Sequence, residues 1–212
     1  MNRKNKYVFV VLLSLILVLA TACGKEEKKE ETNGNGADES WAYGYDSANE
    51  ILRLNADGSA VYKVKTYKNN VQIMETKNFS SYKKDDSYIT LTDKEGTELK
   101  LRYKKTDKGI TVYEKTVYEY SKNNVNAQDG LLGLWVNPDQ EKICYEFTDK
   151  GTFLEDSIFP GHFYVKEAEG EITLEYNDPV PNTVMYYSLE NGKLIIEYPW
   201  DMVATGSVKS GS

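Results

Sequence analysis

Histidine occurs once in the 212 residues, at position 162, and cysteine twice, at positions 23 and 144. Those counts exclude a Cys/His zinc site and a multi-disulfide framework. No P-loop, G-x-G-x-x-G or H-E-x-x-H is present, which removes the common phosphate, dinucleotide and zinc-protease signatures. No G-x-S-x-G elbow exposes a nucleophilic serine. Positive charge is scarce as well: 26 Lys and Arg stand against 33 Asp and Glu. Residues 1–22 carry three of those cations and no acid, so without them the charge is near −10. Nucleic-acid binding depends on cationic contacts that release counterions, so that class is excluded. A polybasic membrane patch is excluded on the same ground. No window of helical length shows a 3.6-residue apolar stripe.

What remains is a β pattern. Short alternating runs rich in Tyr, Val, Thr and Ile predict strands over 50–55, 59–67, 71–82, 87–92, 97–105 and 110–118. A second series is expected over 142–148, 152–156, 161–167, 171–176, 183–189 and 193–198. Clusters of Gly, Asn and Asp separate them, as hairpin turns require. The predicted fold class is all-β, with antiparallel strands wet on one face.

The two series correspond. Trp41 precedes Ile51-Leu52-Arg53-Leu54 as Trp135 precedes Tyr145-Glu146-Phe147, and each then turns at a glycine, Gly58 or Gly151. Ile89-Thr90-Leu91 recurs as Ile172-Thr173-Leu174. Two tandem repeats of a small antiparallel meander are expected, over 41–120 and 131–200, with a linker at 121–130 and a C-terminal tail at 201–212. Whether they close separately or share one sheet is open. Gly133-Leu134-Trp135-Val136, the Asp149-Lys150-Gly151-Thr152 turn and Asn191-Gly192-Lys193-Leu194 resemble the lipocalin-like domains of Gram-positive lipoproteins. That resemblance implies an open barrel or sandwich and says nothing about a ligand.

The first residues give the expected address. Arg3, Lys4 and Lys6 precede an apolar run from Val8 to Ala20, broken only by Ser14. The run is shorter than the roughly 20 residues of a comfortable membrane span, and a cationic start with small residues before a cleavage point reads as a signal peptide. Ala20-Thr21-Ala22-Cys23 resembles the lipobox of bacterial lipoproteins, which implies cleavage before Cys23 and a diacylglyceryl group on its thiol. The expected localisation is the outer face of the cytoplasmic membrane. Residues 23–40 form a charged, Asn- and Gly-rich tether that has nothing to pack.

Candidate chemistry is thin. His162 follows a turn and is expected to be structural, and Cys144, in an alternating stretch, to be a small core residue. Glu167, Glu169 and Glu171 are expected on a solvated face. The 17 Tyr and three Trp are the richer signal. Exposed Tyr and Trp serve glycan or peptide recognition, and Tyr43, Tyr45, Tyr186, Tyr187 and Trp200 are the candidate contacts. The favoured function is a non-enzymatic binding module, without catalytic residue, cofactor or metal, whose partner is wall glycan, a peptide or a protein. The alternatives are a carrier of a small apolar molecule inside a barrel, and a wall-glycan hydrolase using paired carboxylates.

Overall fold

In the computed structural model, residues 32–33, 38–43, 50–69, 71–121, 130–177 and 180–205 are described. The first strands are β1 (Thr32–Asn33), β2 (Glu39–Ala42), β3 (Ile51–Leu54), β4 (Ala60–Lys68), β5 (Val71–Phe79), β6 (Ser81–Lys84), β7 (Tyr88–Thr92) and β8 (Glu98–Lys105). They are followed by β9 (Gly109–Tyr120), β10 (Gly133–Asn137), β11 (Gln140–Phe147) and β12 (Thr152–Glu155). The last are β13 (Phe159–Lys166), β14 (Glu171–Tyr176), β15 (Thr183–Glu190) and β16 (Lys193–Ala204). Among the described residues the only helical piece is a 3-10 turn over Glu167–Glu169. Every strand pairing is antiparallel.

Consecutive hairpins carry β9 to β16 through eight neighbouring strands, and β16 then pairs with β9, closing an eight-stranded barrel. The earlier strands complete a second ring on the same two strands. β16 pairs with β2, which leads through β3 and β4 to β5, while β9 pairs with β8, which leads through β7 to β6. β5 and β6 are successive along the chain, and only Ser80 interrupts them. Ser80 bends this long strand, and its hydroxyl donates to the carbonyls of Thr92 and Asp93 at 3.1 and 2.9 Å. The two lobes therefore share β9 and β16, which run side by side from Gly109↔Val203 to Glu119↔Lys193.

Side-chain alternation explains how one ribbon serves two cores. Even-numbered residues of β9 and β16 point to a single face. At one end Ile110, Val112 and Met202 enter the core built on Leu52, Leu54, Ile89 and Leu91. At the other end Tyr118, Leu194 and Ile196 enter the core of Phe147, Ile172, Leu174 and Met185. Trp41 and Trp135, the first aromatic of each strand series, are buried in the first and second core respectively. The Trp135 indole donates to the Leu131 carbonyl at 2.7 Å.

Two sequence expectations need correction. Residues 23–40 are not a tether throughout: Thr32 and Asn33 pair with Lys84 and Lys83, and β2 begins at Glu39. The tail expected from 201 is strand as far as Ala204, because β16 continues into the first lobe and buries Met202 there. His162 stands exposed on β13, opposite Thr152 and Glu175. Cys144 is buried, as its alternating stretch predicts.

Gly161, like Gly109, is set by space rather than by its backbone conformation. A Cβ on Gly161 would lie 2.6 Å from Phe153 Cε1 and 2.9 Å from Tyr176 Cα, and would press on the Glu175 carbonyl. Two of those obstacles are backbone atoms that cannot yield. Gly161→Ala is expected to cost roughly 3 kcal/mol, at the upper end of overpacking penalties, read as a lower urea midpoint at unchanged m-value.

Candidate functional site

Between the two cores, the shared ribbon presents residues that belong to neither buried cluster, although Tyr198 packs partly against the second. The even face of β9 continues past Val112 with Glu114 and Thr116, and that of β16 past Ile196 with Tyr198 and Trp200. Glu114 lies directly opposite Tyr198, and Thr116 opposite Ile196. These residues floor a cleft of about 620 Å³, walled by Glu50, Tyr62 and Leu101 from the first lobe and by Tyr145, Glu155 and Asp156 from the second. That volume lies within the range of about 300–1,000 Å³ typical of small-molecule sites.

Glu50, Glu114, Glu155 and Asp156 all meet this cleft, and burial is the main reason each is raised from its ordinary value. Glu114 is pushed up to about 7. Burial leads, the Tyr62 hydrogen bond pulls the other way, Glu50 adds repulsion, and Lys77 and Lys65 oppose it. The Tyr62 hydroxyl donates to Glu114 Oε1. Glu155 is raised by burial against hydrogen bonds from Tyr145 and Tyr176, with Asp156 adding to the rise. Tyr145 donates to its Oε1 at 2.6 Å and Tyr176 to its Oε2. Asp156 is raised by burial against the Cys144 N–H, which donates to Oδ1 at 3.0 Å.

Glu50 differs from the other three. It is 1% exposed, and neither carboxylate oxygen has a hydrogen-bond partner. Burial raises its pKa, while the ammonium and backbone N–H of Lys65 lower it. Leaving such an acceptor unpaired carries a full desolvation penalty, greater still for a charge.

The aromatic candidates separate. Tyr43 packs its ring edge-on against Trp200 at 4.9 Å, and Tyr198 lies 5.3 Å from the same indole. Trp200 and Tyr198 line the cleft, so Tyr43 buttresses it. Tyr45 lies outside the described residues, as does Cys23. Tyr187 packs partly buried against the second core and lies away from the residues that line the cleft.

Tyr186 belongs to the reverse face of the ribbon. There the Arg102 guanidinium sits 4.0 Å from the Tyr186 ring, and its Nε donates to Glu197 at 2.6 Å. Lys115 also faces Glu197, at 3.5 Å. Arg102 comes from β8 and Tyr186 from β15, so this half-buried pair ties the first lobe to the second behind the cleft.

The carboxylates were missed as site residues, although a period-2 reading marks them. Glu50 shares its face with Leu52 and Leu54, Glu114 with Ile110 and Val112, and Glu155 with Phe153. Each is an acid on an apolar row.

Among the described residues no group of three or more His, Cys, Asp or Glu could hold a metal ion, and no helix is long and apolar enough to cross a membrane. No family model, curated protein or solved structure matches the chain.

Proposed function

We propose that this chain is a lipid-anchored extracytoplasmic lipoprotein that captures a small organic ligand in the cleft between two lipocalin-like repeats, without chemical turnover. The cleft is the observation that carries the binding part: it is concave, of ligand size, and lined by aromatic rings beside converging polar groups. The order Trp, strand, glycine turn in both halves supports the duplication. The lipobox-like Cys23 supports the anchor, since acyl chains contribute about 0.8 kcal/mol per buried methylene. Large apolar side chains fill both cores, which disfavours a carrier with its cargo inside a barrel. The ligand site is instead the wet, acidic space between the lobes.

Native mass spectrometry tests the capture reading. Protein taken from its membrane should bind a small molecule that Thr116→Trp, which fills the cleft floor, no longer holds. Equal loading of both proteins would overturn it. Cys23→Ser should abolish acylation and release the protein from the membrane; an unmodified Cys23 in the membrane-extracted wild type would refute the anchor.

One observation favours a second reading as a hydrolase: Glu114, held near 7, sits in one cleft with a second buried carboxylate, as general-acid catalysis of glycoside cleavage requires. Release of reducing ends from wall glycan by the wild type, and not by Glu114→Gln, would establish it.

A further inference from the structure

We infer that the first-lobe end of the cleft receives the primary ammonium group of an organic amine, with Glu50 and Glu114 as its acceptors. The inference rests on the cleft being a ligand site and names the chemistry of its ligand. Three observations point to an N–H donor carrying positive charge. Glu50 is buried, its pKa is raised by burial and lowered by the Lys65 charge and backbone N–H, and neither oxygen meets full hydrogen-bond geometry, so it keeps acceptor capacity in the free protein. It lines the cleft, and so does Glu114, which accepts a hydrogen bond from Tyr62. The walls beside them, Tyr62, Val64, Leu99 and Leu101, are apolar or aromatic, which suits the hydrocarbon body behind such a headgroup.

Competing ligand chemistries fit less well. Lys65 and Lys77 also reach this end and offset part of the carboxylate charge, but a carboxylate or phosphate would still bring no donor to the Glu50 oxygens. A neutral hydroxyl would supply a donor without offsetting either charge. A quaternary ammonium would offset charge yet offer no N–H to oxygens that lack a donor.

Binding is linked to protons. The groups facing Glu114 are Tyr62 and Lys65 from β4, Lys77 from β5, Tyr198 from β16 and Glu50 ahead of β3, while Asp139, Glu155 and Asp156 line the second-lobe side of the cleft. With Glu114 half protonated near pH 7, an incoming ammonium favours the carboxylate and drives its proton into the buffer. Affinity therefore rises from pH 6 to pH 8, and protons are released on binding at the lower pH.

Titration calorimetry on the purified full-length protein tests this with hexylammonium, 1-hexanol and hexyltrimethylammonium as probes. Hexylammonium should bind saturably and at least about tenfold more tightly than either of the others, the discrimination expected when a buried charge gains its partner. Glu50→Gln should lose that preference by a similar factor. Its urea midpoint should not fall, because it removes an unpaired buried charge. Glu114→Gln should abolish proton release while the protein stays folded. Equal binding of hexanol would overturn the amine while leaving the cleft a ligand site, as would an unchanged preference in Glu50→Gln. Absence of saturation by hexylammonium at about 50 mM, a weak limit even for so small a ligand, would also overturn it. Only loss of binding in Thr116→Trp bears on the cleft itself.

Discussion

Deleting residues 201–212 is expected to destabilise the protein by at least several kcal/mol, although the segment is polar, small and terminal. Met202 is 2% exposed in the first core, among residues from β3, β4 and β7 that precede it by more than a hundred positions. Its removal alone should cost about 2–5 kcal/mol, the range for truncating a buried Met to Ala. The backbone adds to this. Asp201, Met202 and Val203 register with Thr111, Ile110 and Gly109 of β9, while Val203 and Ala204 register with Ala42 and Trp41 of β2. The Thr111 hydroxyl also donates to Asp201 at 2.5 Å. Without these residues the first ring opens between β2 and β9 and leaves unpaired strand edges.

Substitutions separate the contributions. Met202→Ala should lower the urea midpoint strongly. Met202→Leu, which keeps the volume, should cost less than about 1.5 kcal/mol. Because β9 and β16 belong to both lobes, tryptophan fluorescence from Trp41 in one core and Trp135 in the other should report a single transition. A deletion variant that unfolds at the wild-type midpoint would show that β16 does not support the first lobe.

The same strand shows how far periodicity reaches. All twelve strands expected from alternation exist, with ends shifted by a few residues, because apolar–polar alternation and Gly/Asn/Asp turns are local signals. The long run expected over 71–82 is split at Ser80. β2 and β10 were not anticipated as strands: Glu39-Ser40-Trp41-Ala42 and Gly133-Leu134-Trp135-Val136-Asn137 are too short to display a period. β1 is shorter still. The sharing of β9 and β16 is a long-range pairing, and nothing local in Lys193–Ala204 says that its second half belongs with residues 41–120. The cleft depends on that pairing. Glu50, Glu114 and Glu155 are far apart along the chain and meet only where the two cores separate. Their positions on otherwise apolar rows were legible, whereas the surface they jointly form was not.

Raising the pH from about 4 to 8 should weaken the folded state by roughly 3 kcal/mol through Glu114 alone. An unfolded glutamate releases its proton near its ordinary value of 4.5, whereas Glu114 in the folded protein holds it up to about 7. Between those values the folded state binds more protons, so acid favours it. The contribution is therefore full below 4.5, declines as pH rises, and is lost once pH passes 7. Each pH unit of the gap is worth about 1.4 kcal/mol. Glu50, Glu155 and Asp156 are displaced in the same direction and for the same leading reason, burial. Asp57, lowered by hydrogen bonds from Ser59 on an exposed turn, acts in the opposite sense. The usual acid-labile behaviour of proteins whose carboxylates are paired in salt bridges is thus expected to be reversed here over the mildly acidic range. Glu114→Gln retains an acceptor for the Tyr62 hydroxyl while removing the buried charge. It should raise stability at pH 8, leave it nearly unchanged at pH 4.5, and flatten the slope between them. Urea unfolding of both proteins at half-unit pH steps reads this directly. Parallel curves for wild type and variant would mean that Glu114 ionises as an ordinary surface glutamate, and that the floor of the cleft is wetter than its burial implies.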